Sequence, residues 1–278
     1  MAVLACLLAA ESGLSWAKVG IEGSATQKLR VRTTGAMDDF DMETLLTASL
    51  FPENSSKWSG FVQMGEIYDL DSDSPDSPFG SVYDTFDNRA AFRLYSAYFD
   101  LKNTGFVANL RAGRQHRHEF ESLYFDGMEL KTKPASGFSV AAYAGVPVHL
   151  YENQFGLDSG DWLAGGALQW NPNGEFQARV DYVHLKDEWT GFRAAAGDLE
   201  DNLIGASFWW EVTRRISWEG KFTSFFDKVR DVSSKIAYNW SEKDFSVAVQ
   251  FYRLLEGYGI RVTDWDAYGF LGNYQPYT

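Results

Sequence analysis

Apolar and polar residues alternate along most of this chain, most cleanly between Asp161 and Lys186. Trp162, Ala164, Gly166, Leu168 and Trp170 fall on one side of an extended backbone, and Asp161, Gly165, Ala167 and Gln169 on the other, because successive strand side chains point to opposite faces. Asn171-Pro172-Asn173-Gly174 then supplies a fixed φ and a residue free to take a positive one, which is tight-turn chemistry. In the return strand Phe176, Ala178, Val180 and Tyr182 oppose Gln177, Arg179 and Asp181. The unit is a hairpin with one greasy face and one charged face, and Trp170 and Phe176 flank its turn.

The same pattern predicts strands along the rest of the chain. A first strand over 19–32 sets Val19, Ile21, Gly23, Ala25, Leu29 and Val31 against Glu22, Ser24, Thr26, Lys28, Arg30 and Arg32. A link containing Gly35 leads to a second over 41–50, and the turn 51–58 to a third over 58–70. An acidic connection over 69–88, a less regular strand over 90–101 around Arg93, and a strand from Phe106 to Ala112 follow, before a loop over 114–123. Strands ending at Lys133 and starting at Phe138 precede the hairpin described above. Four more come after the acidic loop near 187–201, until the alternation fades from Glu256 onward.

About 13 strands of about 9 to 13 residues result, each long enough to cross a hydrocarbon core when tilted. Short turns alternate with longer loops. Aromatic residues sit beside most of the short ones, and the expected girdle is Phe51, Trp58, Phe106, Phe138, Trp170, Phe176, Trp210, Trp240 and Phe245. The fold class expected is all-β, an antiparallel transmembrane β-barrel. An odd strand count, and an end at Gln275-Pro276-Tyr277-Thr278 without a terminal aromatic strand, predict a C-terminally truncated barrel with roughly 14–18 strands when complete. A soluble β-sandwich would also alternate, but it would carry its aromatics in mid-strand rather than at strand ends.

Composition narrows the class further. No run approaches the roughly 18 apolar residues of a spanning helix, and the mean hydropathy is -0.29. Barrel strands escape that test because their two faces average out. Residues 1–17 read as a signal peptide with a weak n-region, with Ser15 and Ala17 at the cleavage positions, leaving 18–278 as the barrel domain. Cys6, the only cysteine, falls in the signal core, so the mature chain has no disulfide. A net charge of -13 argues against nucleic acid as a partner, and the acidic connections belong in solvent.

On the polar face, Lys28, Arg30, Arg32, Arg93, Arg111, Arg179, Lys221 and Lys235 are interspersed with Glu22, Glu43, Asp181, Glu211 and Glu219. These are pore-lining candidates, and the acids among the bases predict a largely self-neutralising wall, with anion preference as the other outcome. His116 and His118 fall beside Arg114, Arg117 and Glu119 in the expected loop, with no third soft ligand, so a solvated loop is favoured over a metal site. Asp69, Asp71 and Asp73 have calcium-ligand spacing, but Ser74 and Pro75 follow where a turn glycine belongs, so at most a loosely bound Ca²⁺ is expected and no other cofactor. No signature places a nucleophile beside a base, so no catalytic residue and no enzyme activity are expected.

Arg111-Ala112-Gly113-Arg114-Gln115, followed by Tyr124-Phe125-Asp126-Gly127, resembles Gram-negative outer-membrane porins of the broad group that includes alginate-export-like channels. The resemblance implies that Gly113, Arg114 and Gln115 end a strand before an outer loop, and that Phe125, Asp126 and Gly127 begin the returning one. It implies a substrate-permeable barrel in the outer membrane of a Gram-negative bacterium, in contact with lipid and lipopolysaccharide and passing small hydrophilic solutes, anionic ones among them. A barrel sheathing a periplasmic electron carrier and a secreted glycan-binding sandwich are the competing expectations.

Overall fold

The protein, seen in a computed structural model, is described over residues 18–34, 37–53, 56–70, 90–117, 123–148, 160–187, 199–225 and 228–255. The expected signal segment and the stretch after Leu255 lie outside these residues. The strands are β1 (Val19–Thr34), β2 (Met37–Pro52), β3 (Trp58–Asp69), β4 (Ala90–Thr104), β5 (Val107–Arg117), β6 (Leu123–Thr132), β7 (Phe138–Pro147), β8 (Trp162–Trp170), β9 (Phe176–Asp187), β10 (Leu199–Thr213), β11 (Ile216–Phe225), β12 (Lys228–Trp240) and β13 (Phe245–Leu254). Each pairs antiparallel with its sequence neighbours in one 13-stranded meander, with β1 and β13 as its edges. The fold is therefore all-β, in the connectivity expected.

Register decides which residues share a face, since directly opposed residues of an antiparallel pair point the same way. Val140, Leu168 and Val180 are opposed in turn across β7, β8 and β9, and Trp218, Ile236 and Val249 across β11, β12 and β13. This apolar face is exposed: Val249 is 71% accessible, and Ile21, Leu46, Leu168, Val180 and Ile236 are all open. Most of the buried apolar side chains lie on the other face. Leu123, Phe125, Tyr143, Leu163, Val183, Leu185 and Leu203 form one cluster there, and Phe125 has no accessible surface. A water-soluble protein hides its apolar face, whereas this sheet turns it outward.

Rings gather at both ends of the outward face. At the short-turn end Trp58 stacks on Phe99 at 5.8 Å, Phe138 on Trp170 at 5.8 Å, and Trp170 meets Phe176 edge-on at 5.4 Å. Trp218 continues the belt, contacting Phe208 and Trp210. At the opposite end Trp162 lies 4.7 Å from His184, and Tyr182 donates its hydroxyl to Asn202. Trp170 and Trp162 are eight residues apart along β8, roughly 26 Å of strand and roughly 20 Å after a tilt of about 40°. That is close to the apolar band of about 25 Å on a membrane barrel.

Side-chain hydrogen bonds set the turns. At 171–174 the Asn171 Oδ1 accepts the Gly174 N–H at 2.8 Å, and Asn173 Oδ1 accepts those of Glu175 and Phe176 at 3.2 Å. Gly174 has φ 78°, the positive value that position was expected to need. The link between β12 and β13 is a single 3₁₀ turn, Ser241–Lys243, closed by Asp244 at φ 46°.

The structure corrects three expectations. Phe51 does not belong to the girdle: it is opposed to Gly20 on the polar face, and its ring fills the space a Gly20 side chain would need. The loop expected from Arg114 begins only after Arg117, because β5 continues and pairs with β6 as far as Leu123. The alternation of short turns with longer loops also breaks at the far end of the sheet, where β1 and β2 are separated by two residues, as the short link at Gly35 was expected to be, and β11 and β12 by two as well.

Candidate functional site

The polar face divides into a closed region and an open one. The closed region spans β4 to β9. Arg111 donates from Nε and Nη2 to the two Asp100 oxygens at 2.8 and 3.0 Å, and its guanidinium lies 3.8 Å over the Tyr98 ring. Next to Arg111 in register is Glu129, which takes Arg117 at 3.1 Å and Lys131 at 3.4 Å. Arg117 also reaches from β5 to Asp181 on β9 at 3.4 Å, with its guanidinium 4.0 Å over Tyr143 of β7. Four strand spacings separate β5 from β9, roughly 19 Å along a flat sheet, so a single arginine makes this contact only because the polar face is concave. Asp181 is held as well by Arg179 from the same strand, at 2.6 and 2.7 Å.

Arg117, Glu129 and Asp181 are buried. Charges removed from water persist where they are paired, and the alternation of base and acid pairs each of these, although Arg117 Nε and Glu129 Oε1 are not aligned for a hydrogen bond. A smaller set stands on β11 and β12, where Asp231 accepts from Thr223 and, at 2.7 Å, from Arg230.

The open region lies on β10 to β13 and on β1. Glu219 and Lys235 are opposed in register and paired at 2.7 Å, both substantially accessible. Lys221 is one row further along, between Ser207 and Ser233, and is exposed. On β1 Lys28 faces Glu43 in register, while Arg30 approaches Glu43 at 3.9 Å. Arg32 is opposed to Asp39. Arg93 is on the polar side of β4, opposite Gly65, and buried.

The motif residues come into direct register: Gly113 with Gly127, Arg114 with Asp126 and Gln115 with Phe125. Arg114 forms a two-point pair with Asp126 at 2.8 and 2.6 Å and donates to the Leu94 carbonyl at 3.1 Å. The Tyr124 hydroxyl reaches the Leu94 and Tyr95 carbonyls too. These carbonyls lie where β4 bulges against β3, so Arg114 and Tyr124 satisfy acceptors that the irregular ladder leaves over. Alternation puts Arg114 on the side of Ala112 and Met128, away from Arg111 and Arg117. His116 is a strand residue on that same side, edge-on to Tyr124 at 5.6 Å. His118 lies outside the described residues, as do Asp71 and Asp73, and Asp69 ends β3 opposite Asp41.

Sequence reasoning missed the hub residues Arg117, Glu129, Asp100 and Tyr143. The signal was present, since Arg111, Gly113, Gln115 and Arg117 keep one parity. Ending the strand at Ala112 concealed it.

No family model matches the chain, and no curated protein matches it. Solved structures do. Salmonella typhi OmpF in complex with daunomycin aligns at 8% identity and TM-score 0.36, over 86% of this chain and 91% of that one. Pseudomonas aeruginosa OccK2 in complex with glucuronate aligns at 13% and 0.36, over 84% and 79%. Pseudomonas aeruginosa OpdK with vanillate aligns at 10% and 0.37, over 84% and 80%. At such identities and TM-scores nothing of these proteins' ligands or activity transfers to this chain.

Proposed function

We propose that the chain is a porin-like channel of a Gram-negative outer membrane, its apolar face against lipid and its charged face along a water-filled path for small hydrophilic solutes. One observation carries the reading: a continuous apolar face stands exposed between two belts of rings, a surface that suits hydrocarbon and interface rather than water. A soluble sandwich would need a second sheet on that face, and the 13 described strands belong to one sheet.

Permeation here is passage past fixed charges, with no covalent step. The bases of the closed region are tied to acids, so the open region governs ion preference. On β1 and β10 to β13 the open polar face carries Lys28, Arg30, Lys221 and Lys235 against Glu22, Glu211 and Glu219, which favours anions modestly. The test is conductance of the full-length, detergent-refolded protein in a planar bilayer under a salt gradient. Discrete open steps with a reversal potential on the anion side are expected. Refolded, inserted protein that carries no current would overturn the channel reading, and cation selectivity would overturn the assignment of the open region.

A further inference from the structure

Trp209 is not accounted for by a membrane-facing role. Among the described residues Trp58, Trp162, Trp170, Trp210, Trp218 and Trp240 share the apolar face, where an indole bridges hydrocarbon and headgroup. Trp209 points the other way. It is opposed to Gln177 on one side and Glu219 on the other, and it keeps 37% of its surface accessible. An indole on a polar wall exposes apolar area that nothing in the wall's charge pattern uses.

Its surroundings are specific. One register row runs Gln177, Trp209, Glu219, Lys235, Gln250 across β9 to β13. The row crosses four strand spacings, roughly 19 Å. A concavity of about 400 Å³ is lined by these five residues and, among others, by Ser207, Ser233 and Lys221, within the roughly 300–1,000 Å³ common for small-molecule sites. Lys235 and Glu219 are already joined at 2.7 Å, so the row presents a balanced ion pair flanked by two side-chain amides and one flat ring.

Three ligand classes can be weighed against that surface. A purely apolar solute would strip water from the amides and the ion pair without replacing their hydrogen bonds. A compact anion would meet Lys221, but it would reach Lys235 only by displacing Glu219, and it would gain nothing from the indole. A hydroxylated ring has an apolar C–H face to lie on Trp209 and an edge of hydroxyls that both donate and accept, matching Gln177, Gln250, Glu219 and Lys235. The length of the row suits several such rings joined end to end.

We infer that Trp209 is the stacking platform of a saccharide-binding row on the polar face, selecting neutral oligosaccharides among the solutes that pass. The inference rests on the channel reading for its physiological sense, but the binding can be measured without conduction. The probe is maltotriose, added to the full-length refolded protein in two assays: reduction of ion current in a planar bilayer, and isothermal titration in detergent.

Wild-type protein is expected to bind and to show dose-dependent current reduction. Trp209→Ala raises the half-effective concentration roughly three- to tenfold, the scale of one lost aromatic contact, while Trp209→Phe recovers part of it. Trp218→Ala, on the apolar face, leaves it unchanged. Equal maltotriose binding by wild type and Trp209→Ala, or no binding by a conducting wild type, overturns the platform. Titration binding that depends on Trp209 in a chain carrying no current would uphold the platform and remove the channel.

Discussion

Replacing Asp181 with alanine is expected to destabilise the folded chain by about 3–5 kcal/mol, the usual cost of breaking a buried ion pair by deleting one partner. Asp181 is only 2% accessible and is the acid on which Arg179 and Arg117 converge. Its removal takes a carboxylate from both Arg117 and Arg179 and leaves Glu129 beside Arg117 and Lys131. It also frees Arg117 from its contact across the concave face. Urea unfolding in detergent micelles, followed by tryptophan emission, measures the loss. The double replacement Asp181→Ala with Arg179→Ala should cost less than the sum of the two single ones, because the pair then disappears together. A loss below about 1 kcal/mol for Asp181→Ala would mean that the cluster is solvated and screened, as exposed pairs are.

Gly127→Val is expected to cost about 3 kcal/mol or more and to leave little folded protein. A Cβ at Gly127 would stand 2.1 Å from the Ala144 carbonyl oxygen and 2.6 Å from the Gly145 Cα, both backbone atoms of the adjoining strand. Backbone cannot rotate aside as a side chain can, so β6 and β7 would have to separate. Gly113 and Gly145 stand in register on either side of Gly127, and each has the same close approach to a neighbouring carbonyl. The three form a seam without side chains across β5, β6 and β7, next to the arginine cluster. The folded fraction, read from the temperature-dependent gel shift of a folded barrel, should fall to background in Gly127→Val. Gly166→Ala, where the nearest atom is 3.1 Å away, should retain most of it. Normal folding of Gly127→Val would show that the seam is looser than described.

Much of this architecture was legible in the order of residues. Wherever a strand puts apolar side chains outward, as β8 and β9 do with Leu168 and Val180, alternation fixed both the element and its faces. Turn chemistry fixed the hairpin at Asn171–Gly174. Legibility failed where contacts internal to the sheet replaced the apolar pattern. Arg114 and His116 occupy outward positions of β5, yet they meet Asp126 and Tyr124 instead of hydrocarbon, so the strand read as a polar loop. Phe51 looked interfacial because it adjoins a turn, and only its register with Gly20 puts it on the polar side. The closed region depends on curvature, and no local pattern tells that a residue of β5 will meet one of β9. Trp209 was readable from parity alone, since Ser207 and Glu211 flank it on the polar side, but the adjacent Trp210 draws the eye to the girdle.

The central claim is that the face carrying Leu168 and Val180 meets acyl chains. Cys6 is the only cysteine, so after Cys6→Ser a fluorophore can be attached at one new site, in either Leu168→Cys or Gln169→Cys, in otherwise identical protein. Reconstituted into vesicles with and without brominated acyl chains, the Leu168→Cys label should be strongly quenched by the brominated lipid, while the Gln169→Cys label should respond to aqueous iodide instead. Equal response at both positions, or no bromine quenching at Leu168→Cys, would contradict the account.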